Sequence, residues 1–316
     1  MEVLSAGLIV SDIVVFPVDF GKFNVDTQPV EKITFTSGGD ALNVAVNLAE
    51  LGVEAGIAGV IGNDLAGEGI LSTIKSAGLN YEYLARSKKH QTSSAVVLCQ
   101  KSGEHHFVYY GKSNDEFSSS MISDSVLSQI KILHIGSAMA LAELDGKGLE
   151  ELFLRAKKYG VTTTLDAAHD VHGKWLEKVE RAFENTDIFF PSYDEARMIT
   201  GFEEPVKMAE FMKKYGLKIF GVKLGVKGCY VTNFKDKGGK IIPAFNCDNI
   251  VDTTGAGDAF MAGFICGLLK DFDYIDCALM GSAVSNFCIR HIGATGHLPG
   301  FENVKYLAFR NKKDDY

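Results

Sequence analysis

Asp252-Thr253-Thr254-Gly255-Ala256-Gly257-Asp258, followed by the apolar stretch Ala259 to Leu269, is the run on which the reading of this chain turns. A helix that starts at such small residues leaves backbone N–H groups unpaired, and these groups, at the positive end of the helix dipole, can hold an oxyanion. Gly255, Ala256 and Gly257 leave room for a phosphate in that anion hole. Asp258 falls in the first turn, where the dipole keeps a carboxylate ionised. A carboxylate repels phosphate. Its position makes sense if it serves a second molecule, orienting and deprotonating a hydroxyl aimed at the bound phosphate. The competing reading is an ordinary loop before a buried helix, with Asp258 an incidental first-turn acid.

The wording of the whole run separates the two. Asp-Thr-Thr-Gly-Ala-Gly-Asp-Ala-Phe, with Gly263-Phe264 after it, closely resembles the second signature of the ribokinase-like (PfkB) carbohydrate kinase family. The resemblance implies an α/β fold: a ribokinase-like three-layer domain with a mainly parallel central sheet and a small β-sheet lid. It also implies transfer of the γ-phosphoryl group of ATP to a sugar hydroxyl, with Asp258 as general base.

Composition sets wider bounds. At 316 residues with 46% apolar content, the chain can build one large α/β domain or two smaller ones. A net charge of -8 argues against a nucleic-acid surface, which needs clustered Lys and Arg to replace counterions. The six cysteines, Cys99, Cys229, Cys247, Cys266, Cys277 and Cys288, include no C-x-x-C pair and read as reduced core thiols. Glu2 and Asp12 interrupt the N-terminal apolar run, no basic segment precedes it, and no apolar stretch reaches membrane-spanning length. The expectation is a cytoplasmic protein with no membrane partner.

Short β-branched runs alternate with longer helical patterns, as in a mainly parallel sheet covered by helices. Val3 to Val10, Ala55 to Ile61, Ile132 to Ile135, Val161 to Leu165, Asp187 to Phe190 and Ile219 to Leu224 read as strands. Asp64 to Ala77 reads as a helix stopping at Gly78, Leu149 to Tyr159 as one stopping at Gly160, and Pro205 opens another that stops at Gly216. There is no solenoid repeat or low-complexity tract, and the charge run Lys312 to Asp315 reads as a solvated tail.

Two segments break the rhythm. Val14 to Thr36 and Thr92 to Tyr110 carry alternating patterns, such as Lys32-Ile33-Thr34-Phe35-Thr36 and His106-Phe107-Val108-Tyr109-Tyr110, that suit antiparallel strands pairing with each other. Beside a phosphate site they read as a water-excluding lid, as the family resemblance also implies. The lid is expected from about residues 14–36 and 92–112 of a single kinase domain spanning 1–316. Its exposed apolar face offers a homodimer surface.

Ser37-Gly38-Gly39-Asp40-Ala41-Leu42-Asn43 leads into a helix through Leu51, with Asp40 suited to the N-cap. Asn43, Asn47 and Glu50, at i, i+4 and i+7, form a polar stripe on an otherwise apolar helix. Asn47 and Glu50 are expected to meet solvent or cap a neighbouring loop. Asn43 is expected to bind substrate, because the segment resembles the family's first signature, a glycine pair followed after a short gap by a sugar-contacting Asn. Gly38, Gly39 and Asp40 join the substrate site by the same resemblance. Where ribokinase-like sequences often have Lys after the glycine pair this one has Asp40, so the sugar need not be ribose.

Gly7 to Asp12 matches the family's opening stretch, in which an Asp binds substrate hydroxyls. At the C-terminal end of the first strand, Asp12 would point toward the ligand crevice of an open α/β sheet; the alternative is a turn residue. Gly62-x-Asp64, with Gly67-Glu68 after it, reads as a helix start capped by Asp64.

Phosphoryl transfer calls for a metal to neutralise the donor's charge, hence for an acidic group near the phosphate. Phe190-Pro191-Ser192-Tyr193-Asp194-Glu195 sits where the family usually has Asn-x-x-Glu, linked to magnesium and phosphate through water. The resemblance makes Glu195 the Mg2+ residue and puts Ser192 at a nucleotide-binding position that normally holds Asn. Alternatively, Asp194 and Glu195 only supply first-turn acids to a helix ending at Gly201. Lys223-Leu224-Gly225-Val226-Lys227-Gly228 resembles the family's nucleotide-side loop, with Gly225 and Gly228 letting backbone approach ATP and Lys223 near the phosphates. A simple hairpin turn accounts for the same residues. Asp252 and Thr254 match positions whose backbone carbonyls hold a monovalent cation in many relatives, which makes K+ an optional third ligand.

Several classes are excluded. There is no G-x-x-x-x-G-K-[ST] P-loop, and Phe260 occupies the place of the last glycine in a G-x-G-x-x-G fingerprint. His105 and His106 project to opposite faces of a strand, and neither they nor His169 and His172 come with a third metal ligand. A nucleoside kinase on the same fold is the alternative acceptor class; Phe16, Phe20, Phe23 and Phe107 could stack on its base. From a different class, a catalytically silent sugar-binding protein is the other alternative, against which Asp258 and the Gly255 to Gly257 loop argue.

Overall fold

The computed structural model describes residues 1–22, 24–102, 104–236 and 238–310, with His105 described by its backbone alone. In chain order the described strands are β1 (Val3–Gly7), β2 (Val10–Phe16), β3 (Lys32–Gly38), β4 (Ala55–Ile61), β5 (Asn80–Arg86), β6 (Ser94–Cys99), β7 (His105–Tyr110), β8 (Ile132–Ala138), β9 (Thr162–Ala167), β10 (Ile188–Phe189), β11 (Ile219–Lys223), β12 (Cys229–Thr232) and β13 (Lys240–Ile242). The helices are α1 (Asp40–Glu50), α2 (Leu65–Ser76), α3 (Lys112–Asp115), α4 (Asp124–Leu127), α5 (Lys147–Lys158), α6 (Leu176–Phe183), α7 (Tyr193–Thr200), α8 (Pro205–Met212), α9 (Ala256–Leu269), α10 (Tyr274–Cys288) and α11 (Phe301–Phe309).

The large sheet runs β13-β12-β11-β10-β9-β8-β1-β4-β5. It is parallel from β5 to β11, and β12 and β13 add an antiparallel edge. Val3, Ile132 and Ile188 face one core, and their successors Leu4, Leu133 and Phe189 face the other. That split follows from the alternation of side chains along a strand. Residues of α1, α2, α9, α10 and α11 fill the first core and those of α5 to α8 the second, which gives three layers. α9 is buried from Asp258 to Gly267. At Gly263 a Cβ would lie 2.6 Å from the Met280 carbonyl oxygen, so α9 and α10 meet through their backbones. The chain winds one way from β1 to β4 and β5 and the other way from β8 onward, so the strand order reverses at the β1/β8 boundary. Ligand crevices open at the C-terminal ends of strands at such a reversal.

A second sheet runs β3-β2-β6-β7. The stretch Val3 to Val10, read from sequence as one strand, is divided between the two sheets. Gly7 adopts φ 133, and a Cβ there would lie 2.3 Å from the Gly136 carbonyl oxygen. The chain leaves the large sheet at that point and enters the small one at Val10. Asp12 therefore sits in β2 of the small sheet, not at the end of the first strand. The small sheet's first half runs from Val10 to Gly38, wider than the expected 14–36. The two halves do pair, but β2 and β6 run parallel; antiparallel pairing holds within each half, β2 with β3 and β6 with β7. The reason is topological: β2 and β6 each follow a strand of the parallel sheet out of its C-terminal edge and so travel in the same direction.

Elsewhere the punctuation read from sequence is found. Ala55–Ile61 is β4, and Asp64 caps α2 by accepting from the Gly67 N–H at 2.9 Å. Among the described residues, no helix is long and apolar enough to cross a membrane. Phe23, the His105 side chain and the tail Lys312 to Asp315 lie outside the described residues.

Candidate active site

Three segments far apart in sequence meet at the C-terminal edge of the large sheet: the start of α9, the start of α1, and the ends of β9 and β11. Gly255 precedes α9 with φ 72, and a Cβ on it would lie 2.2 Å from Cβ of Ala294. No side chain caps the first N–H groups of α9. At Gly257 a Cβ would lie 3.2 Å from Lys223 Nζ, so the lysine reaches the glycine-lined helix start from β11. Asp258 follows, 8% exposed, and accepts a hydrogen bond from Asn43 Nδ2 at 2.7 Å. Burial, reinforced by the Asp40 charge, pushes the Asp258 carboxyl well above the usual carboxylate range. The Asn43 bond and Lys223 pull it back.

α1 brings Asp40 and Asn43 beside this helix start. The N-cap position belongs to Gly39, with φ 91, and not to Asp40 as the sequence suggested. A Cβ at Gly39 would lie 2.5 Å from the Leu8 carbonyl oxygen, so the close approach of the β1–β2 connection requires glycine there. With the helix starting one residue early, the Asp40 side chain turns to accept from the Ser137 hydroxyl at the end of β8. At Gly38 a Cβ would lie 2.4 Å from Asp12 Oδ2 and 3.9 Å from Asn43 Oδ1, which puts these two polar groups over one bare backbone position. Asn43 Oδ1 is buried with no hydrogen-bond partner. Burial lifts the Asp12 carboxyl to about 6. Further along α1, Asn47 donates to the Ala294 carbonyl at 3.2 Å and Glu50 accepts from the Leu298 N–H at 3.1 Å. Both cap a neighbouring loop, as expected.

On the other side, Lys223 Nζ lies 2.5 Å from Asp166 Oδ2, with the Asp166 side chain buried and that of Lys223 mostly so. Asp166 is a residue the sequence reading missed. A carboxylate at the C-terminal end of a parallel strand, the signal that drew attention to Asp12, applies instead to Asp166 in β9. Glu195 forms a reciprocal capping box with Ser192, accepting from the Ser192 N–H at 2.8 Å, so the first-turn role does hold. It is also half-buried, and that burial together with the Asp166 charge lifts its carboxyl to about 7. Ser192 pairs with Lys223 in a parallel bridge, which joins α7 to the end of β11. Gly225 (φ 58) and Gly228 (φ 90) form the connection between antiparallel β11 and β12 and are a hairpin turn by geometry.

Asp252 and Thr254 lie in the loop before α9. Asp252 Oδ1 accepts from the Thr254 N–H at 2.9 Å and its Oδ2 from the Gly293 N–H at 3.0 Å, while the Thr254 carbonyl accepts from Cys288 Sγ at 3.6 Å. His169 packs edge-on against Trp175, and His106 edge-on against Phe20. Among the described residues no group of three or more His, Cys, Asp or Glu side chains is placed to hold a metal. The cysteines are free thiols.

This architecture is that of the ribokinases. An Arabidopsis thaliana ribokinase solved with ribose and ATP superposes with a TM-score of 0.81 at 22% identity, covering 97% of this chain and 98% of that one. A Methanocaldococcus jannaschii nucleoside kinase gives 0.77 at 21% identity, with 98% of each chain covered. In sequence, residues 2–300 match the pfkB family of carbohydrate kinases, and the chain belongs to that family. It is an ATP-dependent carbohydrate kinase. An ATP-dependent 6-phosphofructokinase of Thermoanaerobacterium thermosaccharolyticum is 29% identical, with 97% of this chain and 93% of the relative covered. A Haemophilus influenzae ribokinase is 27% identical over 86% of this chain and 89% of its own length.

Proposed function

We propose that the chain transfers the γ-phosphoryl group of ATP to a sugar hydroxyl, with Asp258 as general base and the backbone N–H groups of Gly255, Ala256 and Gly257 as the anion hole. One observation carries this reading: a buried carboxylate stands in the first turn of an uncapped, glycine-led helix, and a second side chain, Asn43, aims it. A carboxylate lifted above its usual range is a better proton acceptor once ionised, and Asn43 favours the ionised form. Asp12, Gly38, Gly39, Asp40 and Asn43 form the acceptor site, in which the unpartnered Asn43 Oδ1 is ready to accept from a sugar hydroxyl.

ATP lies on the Lys223 side, against Ser192, Gly225 and Gly228. The donor set there fits Mg2+: Asp166 is a buried and Glu195 a half-buried carboxylate, close enough that the Asp166 charge, after burial, helps lift the Glu195 carboxyl, and one lysine, Lys223, faces both. Mg2+ held by these two carboxylates, through water at Glu195, would neutralise charge on the transferring phosphoryl group. The Asp252 and Thr254 carbonyls are the proposed seat of K+. We read residues 1–316 as one kinase domain with the small sheet as its lid. The exposed lid residues Ile33, Phe35 and Val108, which the strand pairings put on one side of the small sheet, supply an apolar face for a homodimer. Use of ATP and the free thiols suit a cytoplasmic location.

ADP release against ketoses, aldoses, sugar acids, sugar phosphates and nucleosides, with and without potassium and with magnesium chelated, tests the reading. Turnover of a sugar that stops on chelation supports it. Turnover confined to nucleosides would transfer the acceptor site to that class. Sugar binding without turnover of any acceptor would mark a silent binding protein.

A further inference from the structure

Ser137 (φ 65) and Met139 (φ 80) are non-glycine residues in the left-handed region, two positions apart where β8 leaves the sheet. Such a backbone persists only where its surroundings hold it. Both polar groups of the Met139 backbone are gripped by one charge cluster. The N–H donates to Asp145 Oδ1 at 2.8 Å, and the carbonyl accepts from Lys178 Nζ at 2.6 Å. Asp145 Oδ2 also accepts from the Leu141 N–H at 3.3 Å.

Lys178, on α6, lies 3.1 Å from Asp170 Oδ1 and 3.6 Å from Asp145 Oδ2. Asp170 is fixed in turn by the backbone N–H groups of His172, Lys174 and Trp175. The three side chains are 17%, 7% and 0% exposed for Lys178, Asp145 and Asp170. A buried ion triad is a weak stability device, since apolar side chains of the same volume commonly do as well. It is well suited to fixing several backbone polar groups in one geometry. At the far end of the gripped segment, the Ser137 hydroxyl donates to the Asp40 carboxylate.

We infer that Asp145, Lys178 and Asp170 are positioning residues for the acceptor site, locking the turn that holds Ser137 and Met139 in left-handed conformations so that Ser137 Oγ fixes the Asp40 carboxylate at the start of α1. The inference rests on the reading of Asp40 as an acceptor-site residue. None of the three touches substrate. They act through Ser137, and none of their hydrogen bonds or ion pairs named above reaches β11 or α9, which build the nucleotide side.

Hydrogen exchange on the full chain, followed in peptides covering 136–145, 40–50 and 256–269, tests this without a known acceptor. Lys178→Met should speed exchange about tenfold in the first two peptides and clearly less in the third, which is reached only through the Asn43–Asp258 bond, with Lys178→Arg restoring the wild-type pattern. Ser137→Ala should loosen 40–50 alone. With D-ribose and D-fructose as probe acceptors, Lys178→Met should raise the acceptor KM about tenfold while the KM for ATP stays within about twofold. If Lys178→Met does not fold, Asp145→Asn, which keeps the side-chain shape, takes its place in each comparison. Unchanged exchange in 40–50, or equal loosening of all three peptides, would overturn the inference. Should neither sugar be turned over, the exchange result still decides it, and only the acceptor assignment is lost.

Discussion

Asn43 and Asp258, 215 residues apart in the chain, share a 2.7 Å hydrogen bond at the junction of α1 and α9. The bond ties the segment carrying Gly38 and Gly39, proposed to contact the sugar, to the helix whose N-terminus is the proposed anion hole. Asp258→Asn keeps this geometry and cannot accept a hydroxyl proton. It should lower kcat by about 10² to 10⁴ while leaving the fold and ATP binding intact. Steady-state kinetics beside nucleotide titration measures both; kcat near the wild-type value would remove Asp258 from the base role.

Asn43→Ala probes the same bond from its other end. The amide donor favours the ionised Asp258, so its loss raises a pKa already lifted by burial. A base must be ionised to work, so activity climbs as pH rises through that pKa. The acid limb of the kcat/KM profile should therefore move to higher pH in the variant, and acceptor binding should weaken by about 1 to 3 kcal/mol. An acid limb that stays in place would show that the bond does not tune the base.

If Asp12 binds the acceptor as proposed, function and stability pull apart at this residue. Its carboxyl is lifted from 3.8 to about 6 in the folded chain. Below the unfolded pKa both states are protonated and the group contributes nothing. Between the two values the folded state binds more protons, so stability falls as pH rises, and above about 6 the whole penalty is present. Asp12→Asn should therefore match wild type below pH 3.8 and exceed it by about 1 to 3 kcal/mol above pH 6, while weakening acceptor binding. Urea midpoints across that range are the measurement, and an equal effect at every pH would refute the account.

Lys223 and Asp166 form a buried pair whose halves depend on each other. Lys223→Met leaves the Asp166 carboxylate without its partner and should cost about 3 to 5 kcal/mol of stability. The double variant Lys223→Met/Asp166→Asn removes both charges and should recover most of that loss while remaining unable to bind ATP normally. Denaturant midpoints for the two variants separate the stability role of Lys223 from its proposed place beside the phosphates. A single variant as stable as wild type would show that the pair is not held as a unit.

What the sequence determined by itself is what local chemistry enforces: the alternation of apolar runs that makes an α/β sheet, the glycine and aspartate punctuation of α2, and the small residues and carboxylate that open α9. These depend on residues within a few positions of one another, so their pattern survives in one dimension. The tertiary structure decided everything that rests on contact between distant segments. Gly7 ends β1 because the Gly136 carbonyl lies where a side chain would go, and that moved Asp12 into the small sheet. Asp40 gave up the cap because Gly39 must pass close to Leu8 and Ser137 stands opposite. Asp166 became visible only beside Lys223, since one acid at a strand end carries no label until the fold supplies the cation that holds it. The parallel pairing of β2 with β6 has the same origin: strand direction depends on where each chain segment leaves the large sheet, and no local sequence pattern records that.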